Sequence, residues 1–229
     1  MFISPSVAAY YESLKTDSSA SDTLKKQKGS YFDADVNYLI DYDKRNQKFQ
    51  TTDVFRWWFN QSIPLVSDTY ALVNGYEFNY YHELIDDMVT SFTLYGKTIN
   101  SIAGEDVRIS ERLYMPSRKL RGFQRGKIGP VDNNDYVGGN YISSLNLAAT
   151  LPNIMPNWQT ADISVFFDAG NVWGVDYSST VDETNKIRSA AGLSLDWHTI
   201  VGPLSFSYAG VLSKASTDKT ESFRFNLGT

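Results

Sequence analysis

The feature that most constrains this chain is an alternation of apolar and polar residues with period two, which recurs in segment after segment. Residues 32–43 show it most clearly: the six side chains of one parity are apolar, and four of the six on the other parity are carboxylates. Successive side chains of a β-strand point to opposite faces, so this segment predicts a strand with one apolar face and one acidic face. A soluble sandwich would also accept such a strand, so this segment alone leaves two fold classes open.

About ten such segments lie between residues 3 and 228. Most are near the roughly 9–11 residues that a tilted strand needs to cross a bilayer. In the clear segments the apolar parity carries no charge, whereas a soluble sandwich tolerates an occasional lysine on either face. A lysine or arginine facing lipid near the middle of the bilayer would cost about 2–4 kcal/mol. The sequence therefore predicts an all-β fold, a transmembrane antiparallel β-barrel.

The composition agrees with strands that are half polar, and it excludes several function classes. Aromatic residues make up 14% of the chain, yet the mean hydropathy is −0.33. The net charge of −5 argues against a protein that binds nucleic acid. The chain has no cysteine, its two histidines lie on different predicted strands, and no glycine-rich phosphate loop opens a helix. We therefore expect no enzyme activity, no metal and no cofactor.

The connections between the alternating segments differ in length in a regular way. The long ones are residues 12–30, 100–140, 171–186 and 213–221, and the short ones lie near residues 43–52, 83–87, 152–160 and 199–202. Outer-membrane barrels have long outside loops and short periplasmic turns. No domain boundary interrupts the pattern, so residues 1–229 are predicted to form a single partial barrel domain whose first segment begins inside the domain.

The longest connection contains a basic segment, residues 118–140, that is too polar to be a strand. Its five glycines can adopt positive φ angles. Its five basic residues are Arg118, Lys119, Arg121, Arg125 and Lys127. Because the polar face of the predicted strands is acidic, we expect the loop to carry this charge into the barrel interior, where salt screens less than at the surface. Residues 100–140 are therefore predicted to form a lumen-directed loop.

The residues of this loop resemble a known family. The sequence Leu120-Arg121-Gly122-Phe123, followed by Ile128-Gly129-Pro130, is similar to the sixth-loop motif of the BamA-type outer membrane protein assembly factors, in the bacterial surface antigen superfamily. Further segments with family-like sequence and spacing are residues 137–140, 166–174, 187–192 and 202–209. The resemblance is specific over residues 108–228 and looser over residues 31–107.

The resemblance implies which side chains form a site. The arginine of the Arg-Gly-Phe tripeptide would enter the lumen and meet an acid on the polar parity of a later strand. A second acid of the family is matched by an asparagine, which would make the pocket less acidic. The implied residues are Arg121, Gly122 and Phe123 in the loop motif, Asp168 and Asn146 as lumen partners, and Gly138 and Gly139 in a glycine turn.

The resemblance also implies that the chain is the C-terminal part of a sixteen-stranded barrel. The first strands and the periplasmic domains of the family would be absent from it. The last strand would form one side of a seam with the absent first strand, and its implied residues are Phe223, Phe225, Leu227 and Gly228. The terminal aromatic residue that is usual in the family is missing, so we expect the chain to end a couple of residues early.

The function implied by the resemblance is the assembly and insertion of β-barrel proteins into the outer membrane of Gram-negative bacteria, by strand templating at the seam. Unfolded outer membrane proteins would be the substrates, and the lipoproteins of an assembly complex would bind through the absent periplasmic domains. The outer surface would contact membrane lipid. Two alternatives stay open: a related secretion pore, for autotransporter assembly or two-partner export, and a passive porin without a contact between Arg121 and Asp168.

Overall fold

The computed structural model describes residues 1–47, 50–152, 160–176, 181, 185–200 and 202–227. Ten strands form one antiparallel sheet in the order β1-β2-β3-β4-β5-β8-β9-β10-β11-β12, and β6 pairs with β7 separately. The elements are β1 (Phe2–Leu14), α1 (Asp22–Lys26), β2 (Gly29–Asp43), β3 (Val54–Ser67), β4 (Ala71–Ile85), β5 (Met88–Ser101), β6 (Val131–Asp132), β7 (Asp135–Tyr136), β8 (Tyr141–Thr150), β9 (Ala161–Trp173), β10 (Arg188–Thr199), β11 (Gly202–Ser213) and β12 (Phe223–Leu227). The predicted all-β fold is confirmed. The sheet is a partial barrel that is not closed, with β1 and β12 at its edges.

The two faces of the sheet follow the parity of the sequence. In β9, Phe166 and Asp168 are buried, while Val165 beside them is 40% exposed. Strand pairing carries this parity across the sheet, because Asp168 lies opposite Asn146 on β8 and opposite Ala190 on β10. Residues directly opposite each other share a face. The buried face is therefore the lumen side, and the exposed apolar face is the side that meets lipid.

The outward face of β2 to β5 carries a connected layer of aromatic rings. Phe55 stacks on Phe78 with ring centroids 6.0 Å apart, and Phe78 meets Phe92 edge-on at 6.3 Å. Tyr42 and Trp57 extend the layer, with centroids 6.2 Å apart. Aromatic pairs at these distances stabilise a structure beyond the area that they bury. The layer therefore helps to fix the register of the four strands.

A row of neutral polar side chains crosses the same outward face. The Tyr38 hydroxyl donates to Gln61 Oε1 at 2.9 Å, and Gln61 Nε2 donates to Asn74 Oδ1 at 2.5 Å. Asn74 Nδ2 in turn donates to Thr98 Oγ1 at 3.4 Å. A polar group removed from water is costly chiefly when it is left unpaired. By hydrogen-bonding to one another, these side chains lower the free-energy cost of removing their polar groups from water on an otherwise apolar face.

The assignment of the two faces can be tested with single cysteines, because the natural sequence contains none. We expect cysteines at Val36, Phe167 and Leu193 to react with apolar thiol reagents in membranes and to resist aqueous ones. Cysteines at the neighbouring Asp35 and Asn37 should show the opposite preference, since their side chains point to the lumen. Labelling of positions 35 and 37 from the lipid side alone would show that the faces are inverted.

The long connection predicted over residues 12–30 contains the short helix α1. Ser21 caps it by accepting a hydrogen bond from the Leu24 amide at 3.3 Å, and its hydroxyl donates to Asp132 Oδ2 at 2.5 Å. Leu24 is buried in a small cluster with Val137 and Val181. A five-residue helix is too short to show an apolar periodicity, so the sequence did not reveal it. None of the described helices is both long and apolar enough to span a membrane.

The main hydrophobic core lies on the lumen side of the sheet. There the lumen loop, residues 102–140 between β5 and β8, packs against the barrel wall. The loop contributes Val107, Leu113, Met115, Leu120, Phe123 and Ile128, and the wall contributes Ala71, Tyr95, Ile99, Ile142, Val172 and Ala190. Burial of apolar surface stabilises a fold by about 25 cal/mol for each Å². The loop is therefore an ordered part of the core, despite its polar sequence.

Candidate functional site: the anchored lumen loop

The arginine of the loop motif binds the wall of the barrel through three hydrogen bonds to one carboxylate. Arg121 Nε and Nη2 donate to the two oxygens of Asp168 at 2.7 and 2.8 Å, and the Arg121 amide donates to Oδ2 at 3.0 Å. The Asp168 side chain is fully buried, and the guanidinium lies 3.4 Å from the ring centroid of Phe166. Two parallel bonds from a planar guanidinium fix an orientation as well as a position.

Asn146 completes the contact as a donor. Its Nδ2 donates to Asp168 Oδ1 at 2.8 Å and to the Lys119 carbonyl at 2.9 Å. An acid at this position would repel the Asp168 carboxylate, whereas the asparagine supplies an N–H that helps to satisfy it. Asp168 thus accepts hydrogen bonds from both its neighbour on β8 and the loop, so its charge is fully paired.

The glycine of the tripeptide lets the loop tip, residues 120–123, approach the wall closely. Gly122 has a φ of +88°, and a Cβ there would lie 3.1 Å from that of Ala190 and 3.2 Å from Val211 Cγ2. Phe123, the next residue, is 2% exposed and forms an isolated β-bridge with Thr220. The three residues of the motif therefore have three tasks: ion pairing, close approach and core packing.

The five basic residues of the loop do not share one environment. Lys119 Nζ lies 2.7 Å from Glu77 Oε2 and 5.3 Å from the ring centroid of Tyr95, so Lys119 joins Arg121 in pairing with acids of the wall. Arg118, Arg125 and Lys127 are exposed, and Lys127 Nζ lies 4.9 Å from the ring centroid of Tyr136. The five basic side chains of the loop therefore differ in burial.

Sequence reasoning missed Arg108, a cation of the loop that is almost completely buried. Its Nη2 lies 2.5 Å from Asp33 Oδ2 and 3.0 Å from Glu111 Oε1, and its guanidinium covers the ring of Tyr31 at 4.4 Å. Burial disfavours the charged form, but hydrogen bonds to Glu111 and Asp33 outweigh burial and raise the pKa of Arg108. An arginine near the start of a polar loop gives no signal of this role, because its partner lies 75 residues away.

Arg112 joins the beginning of the loop to its end. It donates to Asn140 Oδ1 at 2.7 Å and to the Val107 carbonyl at 3.0 Å, and it pairs with Asp176. Burial would raise the pKa of Asp176, but hydrogen bonds from the Val107 amide and from Arg112 hold that pKa below its usual value. Since this pKa is lower in the folded state, the stabilisation is present above about pH 4 and is lost as the pH falls further.

The predicted glycine turn closes the loop against β9. The amides of Leu113 and Gly139 donate to each other's carbonyls at 2.8 and 2.9 Å. Gly138 has a φ of +69°, and a Cβ there would lie 2.8 Å from the Leu113 carbonyl oxygen. A Cβ on Gly139 would lie 2.5 Å from the carbonyl oxygen of Trp173. Both positions require glycine, Gly138 for its conformation and Gly139 for its contact with backbone.

We expect Gly138→Ala to destabilise the folded protein by about 2–3 kcal/mol, since it combines a strained φ with a backbone clash. Gly104→Ala is the matched control, because Gly104 has a φ of +83° but nothing within 4 Å of its Cβ position. Gly104→Ala should lower the free energy of unfolding by about 1 kcal/mol, because only the strained φ contributes. Urea unfolding in lipid vesicles measures both. Equal losses would show that the backbone contact at Gly138 is unimportant.

The last strand of the sheet has one partner only. β12 pairs with β11 from Tyr208↔Phe223 to Leu204↔Leu227, and no described strand pairs with its other edge. Phe223, Phe225 and Leu227 lie on the exposed outward face, as the predicted seam strand requires. The fourth predicted seam residue, Gly228, lies outside the described residues.

Within the described part of the chain no cluster of three His, Asp or Glu side chains could hold a metal ion.

Comparison with known proteins places this arrangement in a family context. Residues 4–229 match the Omp85 superfamily domain. The chain is 32% identical over 141 residues to outer membrane protein assembly factor BamA of Neisseria meningitidis, covering 48% of this chain and 17% of that protein. It is 23% identical over 213 residues to BamA of Neorickettsia risticii, covering 91% of this chain and 29% of the relative.

Solved structures and a eukaryotic relative extend the comparison. The crystal structure of BamA from Haemophilus ducreyi lacking POTRA domains 1–3 aligns with a TM-score of 0.77 and 26% identity, over 86% of this chain and 42% of that one. The human sorting and assembly machinery component 50 homolog is 24% identical over 166 residues, which cover 69% of this chain and 35% of the relative. The chain thus spans less than a third of the length of the Neisseria and Neorickettsia proteins.

Proposed function

Because its match over residues 4–229 makes this chain a member of the Omp85 superfamily, we propose that the protein assembles β-barrel proteins and inserts them into the outer membrane. The chain is of the BamA type and corresponds to the C-terminal part of the barrel. Its membrane is the bacterial outer membrane. We infer the activity, the substrates and the partners of the whole protein from these relatives, which are outer membrane protein assembly factors.

The observation that carries the proposal is the anchored loop tip. Arg121 holds the tip on Asp168 through a buried bidentate pair, in a chain whose bacterial relatives are assembly factors. A passive porin needs an open lumen for its solutes. Here the lumen loop supplies core residues such as Leu120 and Phe123, which are almost fully buried against the wall. A loop packed against the inner wall supports assembly at the sheet edge over diffusion through the centre.

The edge of β12 supplies the chemistry that assembly requires. An unpaired strand edge presents a row of free N–H and C=O groups, which can pair with a strand of another chain. In the described part of the chain, β12 is held to the sheet by five residue pairs with β11 and no strand lies on its other edge, so that edge is suited to template an incoming strand. Its apolar side chains face lipid and would continue onto the lipid face of the new strand. No covalent step or cofactor is involved in this mechanism.

The substrates we propose are unfolded outer membrane proteins, which need a template because their strands have no partner until the barrel closes. Membrane lipid contacts the aromatic layer of the outward face, where Phe55, Phe78 and Phe92 lie. Lipoproteins of an assembly complex would bind through periplasmic domains and not through the strands of this chain. We expect no contact with nucleic acid, in agreement with the net charge of −5.

The test uses the full-length protein reconstituted in lipid vesicles with an unfolded β-barrel substrate. Folding of the substrate is followed by its shift to the faster-migrating folded form on unheated gels. We expect folding several-fold faster than in vesicles without protein. Substrate that stays unfolded, together with a large steady ion conductance, would support a porin. Secretion of a soluble passenger without insertion of a barrel would support an export pore.

A further inference from the structure

The lumen loop is joined to the connection between β11 and β12 by a short ladder of backbone hydrogen bonds. The Glu221 amide donates to the Gly122 carbonyl at 3.0 Å, and the Gln124 amide donates to the Lys219 carbonyl at 3.0 Å. The Lys219 amide donates to the Lys127 carbonyl, also at 3.0 Å. The residues just before the seam strand therefore pair with the tip of the lumen loop, as two strands of a sheet would.

Arg224, the second residue of β12, strengthens this junction from inside the barrel. Its Nη1 donates to the Ser117 carbonyl at 2.8 Å and its Nη2 to the Phe123 carbonyl at 2.5 Å. Its Nε donates to Glu221 Oε1 at 3.3 Å, and only 11% of its side chain is exposed. One guanidinium thus holds the carbonyl groups of Ser117, before the loop tip, and of Phe123, at its end. A charged donor makes such hydrogen bonds about twice as strong as neutral ones.

The loop tip is consequently held by two different strands. Arg121 binds it to Asp168 on β9, and Arg224 binds it to β12 at the free edge. Among the described residues, β12 has five that pair with β11 and no strand on its other edge, so the contacts of Arg224 give this strand a second attachment. Beyond Arg224, no side chain of the three remaining described residues of β12 hydrogen-bonds to the described part of the loop.

We propose that Arg224 is a latch that fixes the first residues of the seam strand to the lumen loop. While the latch is closed, the strand can move away from β11 only beyond Arg224, and a movement of the whole strand requires the loop tip to be released first. On the proposed function, which this inference extends, the latch couples the position of the loop to the opening of the seam. Arg224 acts as a positioning residue, since it touches the loop and no substrate group.

The choice of arginine follows from geometry. The two carbonyls that it binds belong to residues six positions apart in the loop, and a planar guanidinium presents separate N–H groups to each of them. A lysine carries its donors on one nitrogen and would satisfy one carbonyl well. Arg224→Lys therefore retains the charge and most of the side-chain volume while weakening the contact with the two carbonyls. It is the variant that should disturb folding least.

The experiment compares the full-length protein and its variants Arg224→Met, Arg224→Lys and Arg56→Met in lipid nanodiscs by hydrogen–deuterium exchange. Arg56 is the control because it also faces the lumen, and its ion pairs are with Asp41 and Asp43 on β2. In Arg224→Met we expect exchange about tenfold faster or more in both residues 117–127 and residues 219–225. Arg224→Lys should show a smaller rise in the same two segments, and Arg56→Met should show none in either.

Two outcomes would overturn the latch: faster exchange confined to β12 with the loop unchanged, or an equal rise in the Arg56→Met control. The vesicle folding assay on the same variants separates this inference from the proposed function. If the unmodified protein folds no substrate, the proposed function fails while the exchange result still decides the latch. If Arg224→Lys loosens both segments and folds substrate at the normal rate, the coupling of the latch to seam opening is wrong.

Discussion

Replacing Arg121 by alanine in the full-length protein is expected to release the loop tip and to remove most of the assembly activity. The substitution leaves Asp168 as a fully buried carboxylate without its cation, and breaking a buried ion pair in this way costs about 3–5 kcal/mol. Asp168→Asn should have a similar effect, because it leaves the guanidinium beside a neutral amide. The two substitutions break one and the same contact, so the double variant should lose little more than either single variant.

A double-mutant cycle measures this non-additivity, with the rate of substrate folding and the free energy of unfolding in lipid as separate readouts. Asp196→Asn is the matched control, since Asp196 also faces the lumen but is exposed and bonded to Ser205. It should change neither readout by more than about 0.5 kcal/mol. Fully additive losses from the Arg121 and Asp168 substitutions would contradict the conclusion that this pair anchors the loop.

The strand faces could be predicted because their signal is local. Each residue of a strand reports its own face through the alternation, so Asp33, Asp41 and Asp168 could be placed on the lumen side without knowing any partner. β3 continues to Ser67, past the end of its clear alternation. The alternation is lost there because a bulge shifts the register of β3 against Ala34 and Asp35 of β2. A bulge adds a residue to one strand and reverses the parity after it, so alternation alone ends the strand too early.

The ion pairs of the lumen could not be predicted in the same way, apart from the one carried by the resemblance. Arg108 binds an acid on β2. Arg224 binds the carbonyls of Phe123 and Ser117, which lie 101 and 107 positions before it in the sequence. In the sequence these arginines look like ordinary solvated charges. Their burial depends on where the loop packs against the barrel wall, which is a property of the tertiary fold and not of any local pattern.

The glycines of the loop gave a partial signal. Their number predicted positive φ angles, and four of the five adopt them: Gly122, Gly126, Gly129 and Gly138. Gly139 is the exception, because what it requires is contact with the backbone of Trp173. Composition can indicate that a segment is conformationally permissive, but it does not distinguish a residue that needs an unusual φ from one that needs the absence of a Cβ.

Replacing Arg188 by methionine is expected to have the second large effect, on the connection between β11 and β12. The pair of Arg188 and Asp218 is completely buried on both sides, with Nε and Nη2 donating to the carboxylate oxygens at 2.9 Å each. Asp218 also accepts from the Ala215 amide at 2.6 Å. Without its cation the carboxylate is a buried unpaired charge, so we expect a loss of about 3–5 kcal/mol and rapid proteolysis between residues 214 and 221.

The double variant Arg188→Met/Asp218→Asn should regain a large part of this loss, because asparagine removes the buried charge and keeps an acceptor for the Ala215 amide. Arg45→Met is the control: Arg45 makes the same two-pronged contact with Asp43, at 2.9 and 2.7 Å, but Asp43 is 32% exposed at the end of β2. An exposed pair contributes about 0–1 kcal/mol. If Arg188→Met and Arg45→Met cost the same, or if adding Asp218→Asn makes the loss larger, then burial of the charge is not what makes the Arg188 pair essential.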